Sequence, residues 1–191
     1  MKKLFTAFFL FSLISFTTFS QSFEIGTGIH LIRFRGADVS FPGTFPIVES
    51  RFVFNALFSG NIPFHIREEL AFGISPNFSF GALQNTLAIN VPVLLTARYG
   101  AGSSREAMNN WGVGGGIGAM YNYVNTWINF ASPVLYSFGQ FTPIIMGEFS
   151  FAPRGRLMRI RGEFTPLPLY RSDNTFEGEI SQFTILFMRT F

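Results

Sequence analysis

Apolar and polar residues alternate along most of the chain after its first twenty residues. From residue 69 to residue 82, one parity carries Leu70, Phe72, Ile74, Pro76, Phe78, Phe80 and Ala82, while the other carries small or polar residues. Alternation of this length indicates a strand with one apolar face and one polar face. The same test predicts eight strands, near residues 22–34, 48–62, 68–82, 86–99, 111–124, 138–151, 156–169 and 179–191.

These strands are longer than the five or six residues usual in soluble sheets, and they suit the 9–11 tilted residues that cross hydrocarbon. The chain is 48% hydrophobic and only 13% charged, but after its N-terminal segment it has no apolar run long enough for a membrane helix. We therefore predict an all-β fold, an eight-stranded antiparallel up-and-down transmembrane β-barrel. The alternative is a soluble sandwich in which the Phe-rich faces meet in a core.

Charged residues in the predicted strands fall on the small, polar parity, which would face the lumen of a barrel. They are Glu24, Arg51, Glu69, Arg98, Glu148, Arg159, Arg161 and Glu163. An eight-stranded barrel has an interior just wide enough for side chains, and a buried charge without a partner costs several kcal/mol. We therefore expect this lumen charge network to close the interior with Arg/Glu pairs.

Aromatic residues with polar tips lie near the ends of the predicted strands, as in the aromatic girdles of membrane barrels. With the N-terminus in the periplasm, Tyr99 and Trp111 would lie at the periplasmic rim. The outer rim would carry Tyr121, Tyr123, Trp127, Tyr136 and Tyr170. This placement favours the barrel over the soluble sandwich.

The N-terminal segment has the form of a secretory signal peptide: Lys2 and Lys3, an apolar stretch to about Phe16, and a short polar segment. We predict cleavage near Ser20–Gln21, so that residues 1–20 are the signal peptide and residues 21–191 form one barrel domain. Cleavage removes both lysines and leaves a net charge of about +1, so the high calculated pI does not indicate a nucleic-acid partner. The chain contains no cysteine, and packing and hydrogen bonds must stabilise it.

The C-terminal sequence "FTILFMRTF" ends in Phe191 and carries Phe183, Ile185 and Phe187 at alternate positions. It resembles the C-terminal assembly signal of bacterial outer-membrane proteins, although Arg189 replaces the usual apolar residue. The mature chain resembles the small OmpA/OmpX-like, porin-family-type barrels. The resemblance implies outer-membrane lipid as the environment, the barrel assembly machinery as a partner during biogenesis, and a location in the outer membrane of a diderm bacterium with both termini periplasmic.

Candidate chemistry is sparse. "GVGGGIGA" has the glycine spacing of a dinucleotide-binding turn but lacks the helix that must follow, so Gly112, Gly114, Gly116 and Gly118 are expected to face a narrow lumen. Neither His30 nor His65 lies in a metal-ligand spacing. We expect no catalytic site, cofactor or metal. His30, predicted to point into the lumen, leaves a lipid-modifying enzyme as a remote alternative.

Two features of the strands need explanation. Pro76, Pro92, Pro143 and Pro166 lie inside predicted strands, where a closed barrel must contain bulges or interrupted ladders. Residues 125–137 are predicted to form a long apolar outer loop.

The sequence therefore predicts an integral outer-membrane barrel with a structural or surface-interaction role and a lumen closed by Arg/Glu pairs. The alternatives are a narrow transport pore and an accessory component of an envelope secretion or assembly complex, with protein partners that the sequence does not identify.

Overall fold

The computed structural model describes residues 22–38, 47–83, 85–103, 107–129, 133–172 and 176–191. The predicted signal peptide and most of the first outer loop lie outside these residues. The strands are β1 (Ser22–Asp38), β2 (Ile47–Arg67), β3 (Leu70–Leu83), β4 (Thr86–Gly100), β5 (Trp111–Asn129), β6 (Pro133–Phe151), β7 (Met158–Phe164), β8 (Leu169–Ser172) and β9 (Phe176–Thr190). A short 3-10 helix, Pro153–Gly155, lies between β6 and β7.

The sheet closes on itself. Each strand from β1 to β7 pairs antiparallel with the next, and β9 pairs with both β7 and β1. The short strand β8 also pairs with β9, beyond the stretch that β7 occupies, so β7 and β8 share one position in the wall. The predicted eight-stranded, antiparallel, up-and-down barrel is confirmed, and the sandwich alternative is wrong.

The barrel has two ends. The terminal end holds the start of β1, the end of β9 and the turns that follow β2, β4 and β6. The loop end holds the last residues of β1, β3, β5 and β8 and the first residues of β2, β4, β6 and β9. No helix in the described part of the chain is long and apolar enough to cross a membrane.

The hairpin at the loop end of β5 and β6 differs from the prediction. Residues 125–129 pair with residues 133–137, so the predicted long loop at 125–137 is wrong. Thr126, Trp127, Ile128 and Tyr136 are β-branched or aromatic residues, which have high strand propensity, and pairing extends the ladder through them. The connection that remains, residues 130–132, lies outside the described residues.

The two faces of the sheet have opposite chemistry. Large apolar side chains on the outer face are exposed, including Phe54 at 61% and Ile117 at 63%, whereas charged and amide side chains on the inner face are buried. An exposed apolar band around a closed barrel is stable against hydrocarbon and not against water. The barrel is therefore built to lie in a membrane.

Prolines coincide with interruptions in the ladders. The β2–β3 ladder lacks bridges at Ser75 and Pro76, and the β3–β4 ladder lacks them at the position of Pro92. β7 ends at Phe164, two residues before Pro166. Because proline cannot donate a backbone hydrogen bond, the barrel accommodates Pro76 and Pro92 by omitting bridges without a change of register. At Pro166 the ladder with β9 is also interrupted, and its register shifts by two residues between β7 and β8.

Candidate functional site

A cluster of six charged side chains fills the lumen near the terminal end. Its members are Glu24, Glu148 and Glu163 with Arg98, Arg159 and Arg161, and each is at least about nine-tenths buried. Three carboxylates thus face three guanidinium groups, so the cluster carries no net charge when all six are ionised. We call these six residues the lumen charge cluster.

Glu148 lies at the centre of the cluster. Arg98 donates to it with Nε and, at 3.3 Å, with Nη2. Arg161 donates to its Oε2 with Nη2 at 3.1 Å and with Nε at 3.3 Å. Nε of Arg159 lies 3.8 Å from Oε1 of Glu148. Such forked contacts suit the planar guanidinium group and fix the positions of three strands relative to one another.

Glu24 connects the cluster to the first and last strands. Arg159 donates to Oε1 of Glu24, and Arg161 lies 3.4 Å from its Oε2. The hydroxyl of Thr190, in β9, donates to the same carboxylate at 3.3 Å. Arg159 also donates to the Gly102 carbonyl at 2.9 Å, so the cluster reaches the turn at the terminal end. Glu163 lies at its edge, 3.7 Å from Arg161.

Glycines make room for this cluster. A Cβ atom on Gly114 would lie 2.8 Å from Cγ of Glu148 and 3.1 Å from Cγ of Arg98. A Cβ atom on Gly102, whose φ is +83°, would lie 2.4 Å from Nη2 of Arg159. Gly114 of "GVGGGIGA" therefore lies on the lumen side of β5, where a side chain would displace the ion pairs, whereas a Cβ atom on Gly116 would lie 3.1 Å from Cε of Met146.

Two residues of the predicted network lie elsewhere. Arg51 is near the loop end, where it pairs with Glu49 and approaches the Thr86 hydroxyl at 3.4 Å. Glu69 lies in the turn after β2 and accepts hydrogen bonds from the Met108 amide at 3.0 Å and from Nδ2 of Asn109 at 2.9 Å. Parity placed both on the polar face, but the height of a residue along the barrel does not follow from parity.

The middle of the lumen contains an amide layer, formed by His30, Asn90, Asn122 and Gln182. Asn90 donates to Nδ1 of His30 at 3.3 Å, so the ring carries its proton on Nε2 and donates to Oε1 of Gln182 at 3.2 Å. Nδ2 of Asn122 donates to the same oxygen of Gln182. Alternation predicts the lumen position of His30, and the three other residues of the layer have the same parity, but alternation does not show which of them contact it.

Apolar side chains also occupy the lumen, although alternation predicts a polar inner face. Leu94, Met120, Ile144 and Met146 form one buried cluster, and Leu57, Leu186 and Met188 form another. In a narrow barrel, such side chains fill space that would otherwise be void. We call the first group the lumen apolar cluster.

The predicted girdle residues occupy several levels. Tyr99 and Trp111 are exposed near the terminal end. Tyr121 packs on Phe141 with ring centroids 5.1 Å apart, and Tyr123 follows on the same face. Because β5 continues to Asn129, Tyr121 and Tyr123 lie within the strand rather than at its end, whereas Tyr136 is the fourth residue of β6. The side chains of Trp127, Tyr136 and Tyr170 lie outside the described residues.

The predicted C-terminal signal lies on the outer face. Phe183, Ile185 and Phe187 project from β9 and are 40–56% exposed. The Phe191 amide donates to the Phe23 carbonyl at 2.9 Å, and its ring lies 5.0 Å from the guanidinium carbon of Arg189. The last residue is thus held against the first strand.

Metal and nucleophile chemistry find little support in the described residues. They contain no group of three His, Cys, Asp or Glu side chains that could hold a metal ion. Both ring nitrogens of His30 are engaged by amides rather than by a hydroxyl or carboxylate. The side chain of His65 lies outside the described residues.

Comparisons with known proteins give a likeness of architecture. No protein-family model matches the sequence, and no curated protein matches it. The outer membrane protein OprG from Pseudomonas aeruginosa is 12% identical, with a TM-score of 0.47 over 90% of this chain and 96% of that chain. Ail, the attachment invasion locus protein of Yersinia pestis, is 11% identical, with a TM-score of 0.46 over 91% of this chain and 100% of that chain.

The outer membrane protease OmpT from Escherichia coli is 8% identical, with a TM-score of 0.47 over 90% of this chain and 96% of that chain. At these identities and TM-scores, the neighbours carry no argument about activity, and the closed ladders of the chain itself establish its architecture. The chain is a closed, eight-stranded, antiparallel β-barrel with an apolar exterior, and it resembles small outer-membrane barrels.

Proposed function

We propose that this protein is an integral outer-membrane barrel with a structural or surface-interaction role, whose lumen is closed to ions by the lumen charge cluster. Residues 1–20 would direct export, and the mature domain would begin near residue 21. The termini would lie in the periplasm and the connections of the loop end would lie outside the cell.

The observation that carries the proposal is the lumen charge cluster itself. Arg159 and Arg161 are at most 2% exposed, and Glu24 is fully buried. An ion that crosses the lumen would have to separate these pairs, and each uncompensated charge would cost several kcal/mol. Along β5, Met120 lies between Gly114, which pairs with Glu148, and Asn122 of the amide layer, so apolar side chains also fill the lumen between the charges and the amides. This arrangement favours a closed barrel over a conducting pore.

The first test asks whether the chain is a membrane barrel. We expect the protein in the outer-membrane fraction, with an apparent mass on SDS gels that changes only after boiling. Closed barrels resist SDS at low temperature because their ladders leave no strand edge along most of the wall. Recovery in the soluble periplasmic fraction with no shift would contradict the proposal.

The second test asks whether the lumen conducts. We expect no step currents from the purified protein in planar lipid bilayers. The R98S/E148S variant removes one arginine and one glutamate together, keeps the cluster neutral and widens the lumen, so its conductance should rise. The matched control is R35S/E179S, which removes the exposed pair at 3.7 Å. Step currents from the wild-type protein would overturn closure and favour the narrow pore.

The barrel assembly machinery is the proposed partner during biogenesis. The supporting observation is that Phe191 directly follows β9, whose outward residues Phe183, Ile185 and Phe187 are apolar. Deletion of Phe191 should lower the amount of folded barrel in the outer membrane, whereas deletion should have little effect on spontaneous refolding into detergent micelles. A loss in both experiments would indicate a purely structural role for Phe191.

A further inference from the structure

One stretch of the barrel wall lacks a strand ladder. β6 pairs with β5 along its whole length but with β7 only from Ile145 to Phe151. β8 pairs with β9, and no ladder within the described residues joins it to β6. We call this interruption the seam. It is bordered by residues 133–144 of β6 on one side and by residues 165–172 on the other.

The sequence accounts for the seam through prolines. The Ala152 amide donates to the Asn110 carbonyl, on the β5 side. Because backbone N–H and C=O groups alternate in direction along a strand, those of the odd-numbered residues of β6 point toward β7. Pro133 and Pro143 belong to that set. When the β6–β7 register is continued by two residues, Pro143 faces Pro166. Two residues without an N–H group then face each other, and the ladder cannot continue through them.

The same prolines decide what could occupy the seam. Prolines at a strand edge make it a poor template for pairing with another strand. A partner chain that adds a strand would find no donor at Pro133 or Pro143. An occupant without backbone hydrogen-bonding groups fits the edge better.

Apolar side chains lie on both sides of the seam. On the outer face, Phe141 is 73% exposed and Leu167 is 61% exposed. On the inner face, Met120 and Ile144 of the lumen apolar cluster lie at the same level. A hydrogen bond from the Thr142 hydroxyl to the Leu167 carbonyl, at 3.5 Å, crosses the lower end of the seam.

The lower end of the seam lies at the level of the hydrocarbon layer. Phe141 is ten residues along β6 from Phe151, which pairs with the girdle residue Trp111. About 9–11 tilted residues cross the hydrocarbon layer, so Phe141 and Tyr121 mark its far boundary. The lower end of the seam, at Thr142 and Ile144, therefore lies inside that boundary. A molecule dissolved in this leaflet meets the seam without crossing a polar layer.

We propose that the seam is a lateral binding site for the acyl chain of a membrane lipid, the apolar chain that surrounds the barrel at the level of Phe141. The chain enters between Phe141 and Leu167, displaces the bond between Thr142 and Leu167, and packs against Met120 and Ile144. Methionine suits such a site because its flexible side chain repacks around different shapes. The site rests on the proposed membrane location, and the lumen charge cluster ends the path below it.

Photolabelling tests the site directly. The purified barrel is placed in phospholipid vesicles that contain a diazirine-bearing palmitoyl phospholipid or, separately, a free diazirine-bearing hexadecanoic acid. After irradiation, mass spectrometry maps the adducts. We expect adducts at the lipid-facing Ile117 and at the lumen residues Met120 and Ile144, and none at the equally buried Leu57 of the other lumen cluster. Lumen adducts are expected from the phospholipid probe, and lumen adducts from the free acid alone would overturn the lipid chain as the occupant.

Cross-linking the seam provides the decisive variant. Because the chain has no cysteine, P143C/P166C introduces one defined pair at aligned positions whose side chains are both exposed, bridged by a disulfide or a short bis-thiol reagent. The bridge should abolish the adducts at Met120 and Ile144 and leave the adduct at Ile117. The matched control, G147C/G162C, bridges an aligned pair within the intact β6–β7 ladder and should leave all adducts in place.

A second variant tests the same site without cysteines. P143T/P166T restores both missing donors, so it should extend the ladder, raise the temperature at which the barrel unfolds in SDS and abolish lumen adducts. Lumen adducts that persist in the bridged and threonine variants would overturn the site, as would labelling of Ile117 without Met120 and Ile144 in the wild type. Absence of the Ile117 adduct would overturn the membrane location and the site together.

Discussion

The two halves of the lumen solve the same packing problem with different chemistry. Toward the terminal end, three carboxylates and three guanidinium groups form direct ion pairs around Glu148. In the middle and toward the loop end, neutral amides around His30 and apolar side chains around Ile144 fill the space. The wall differs in parallel, because the β6–β7 ladder is complete beside the charges and interrupted beside the apolar cluster.

This difference shows where the barrel depends on individual residues. When one partner of a buried ion pair is removed, the other remains as an uncompensated buried charge, which is costly. Removal of a neutral amide leaves an unsatisfied hydrogen-bonding group at a smaller cost, and removal of an apolar side chain leaves a cavity. Substitutions in the charged half should therefore cost most. The amide layer should be intermediate, and the exposed rim should be nearly insensitive.

The largest effect is expected for E148Q. The substitution keeps the shape of the side chain but leaves Arg98 and Arg161 without their shared carboxylate, which should cost about 3–5 kcal/mol. Urea unfolding in detergent micelles measures the change in free energy. E69Q is the matched control, because Glu69 lies in a turn and accepts hydrogen bonds only from neutral groups among the contacts described.

A second variant at Glu148 separates the cost of an unpaired charge from the cost of altered packing. R98Q/E148Q removes one positive and one negative charge, so it should recover part of the stability that E148Q loses, since coupled sites are not additive. Equal losses for E148Q and E69Q would show that Glu148 is not a centre of electrostatic stabilisation.

The next effect concerns the glycines that make room for the cluster. G114A places a methyl group 2.8 Å from Cγ of Glu148, so the ion pairs must shift, at a cost of about 1–3 kcal/mol. G147A is the control, because a Cβ atom there meets nothing within 4 Å. The same urea titration measures both. If G114A were as stable as G147A, the glycines would have no spacing role.

The amide layer should respond more weakly. Q182M removes the oxygen that accepts from His30 and Asn122, and the two stranded donors should cost about 1–3 kcal/mol. N55L is the contrasting variant, because neither polar atom of the Asn55 side chain has a partner in the described structure. Its replacement should leave stability unchanged or raise it. A greater loss for N55L than for Q182M would contradict this account.

The number of strands, the closure of the barrel and the face on which each residue lies could be predicted from the sequence, because they follow from alternation, which has a period of two in any strand. Height along the barrel could not, because alternation carries no information about it. This is why Arg51 and Glu69 were grouped with residues that lie far from them, and why Gln182 was not recognised as a partner of His30.

The interruption of the wall was partly visible. Pro143 and Pro166 indicated that some ladder must break, yet only the β6–β7 register shows that they face each other. The long hairpin of β5 and β6 was missed for a related reason. Its apolar residues fit either a loop that rests on the membrane surface or a strand. Tertiary pairing decides between the two.

The smallest effect is expected for the exposed pair formed by Arg35 and Glu179, at 3.7 Å and with 64% and 38% of their side chains exposed. R35Q should cost about 0–1 kcal/mol, because solvent screens such pairs. The cost should shrink further as salt rises, since the Debye length falls from about 10 Å at 0.1 M to about 3 Å at 1 M. The cost of E148Q should stay nearly constant over the same range, because no solvent lies between Glu148 and its arginines. Urea titrations at both salt concentrations separate the two behaviours, and a strong salt dependence for E148Q would mean that water and ions reach the lumen charge cluster.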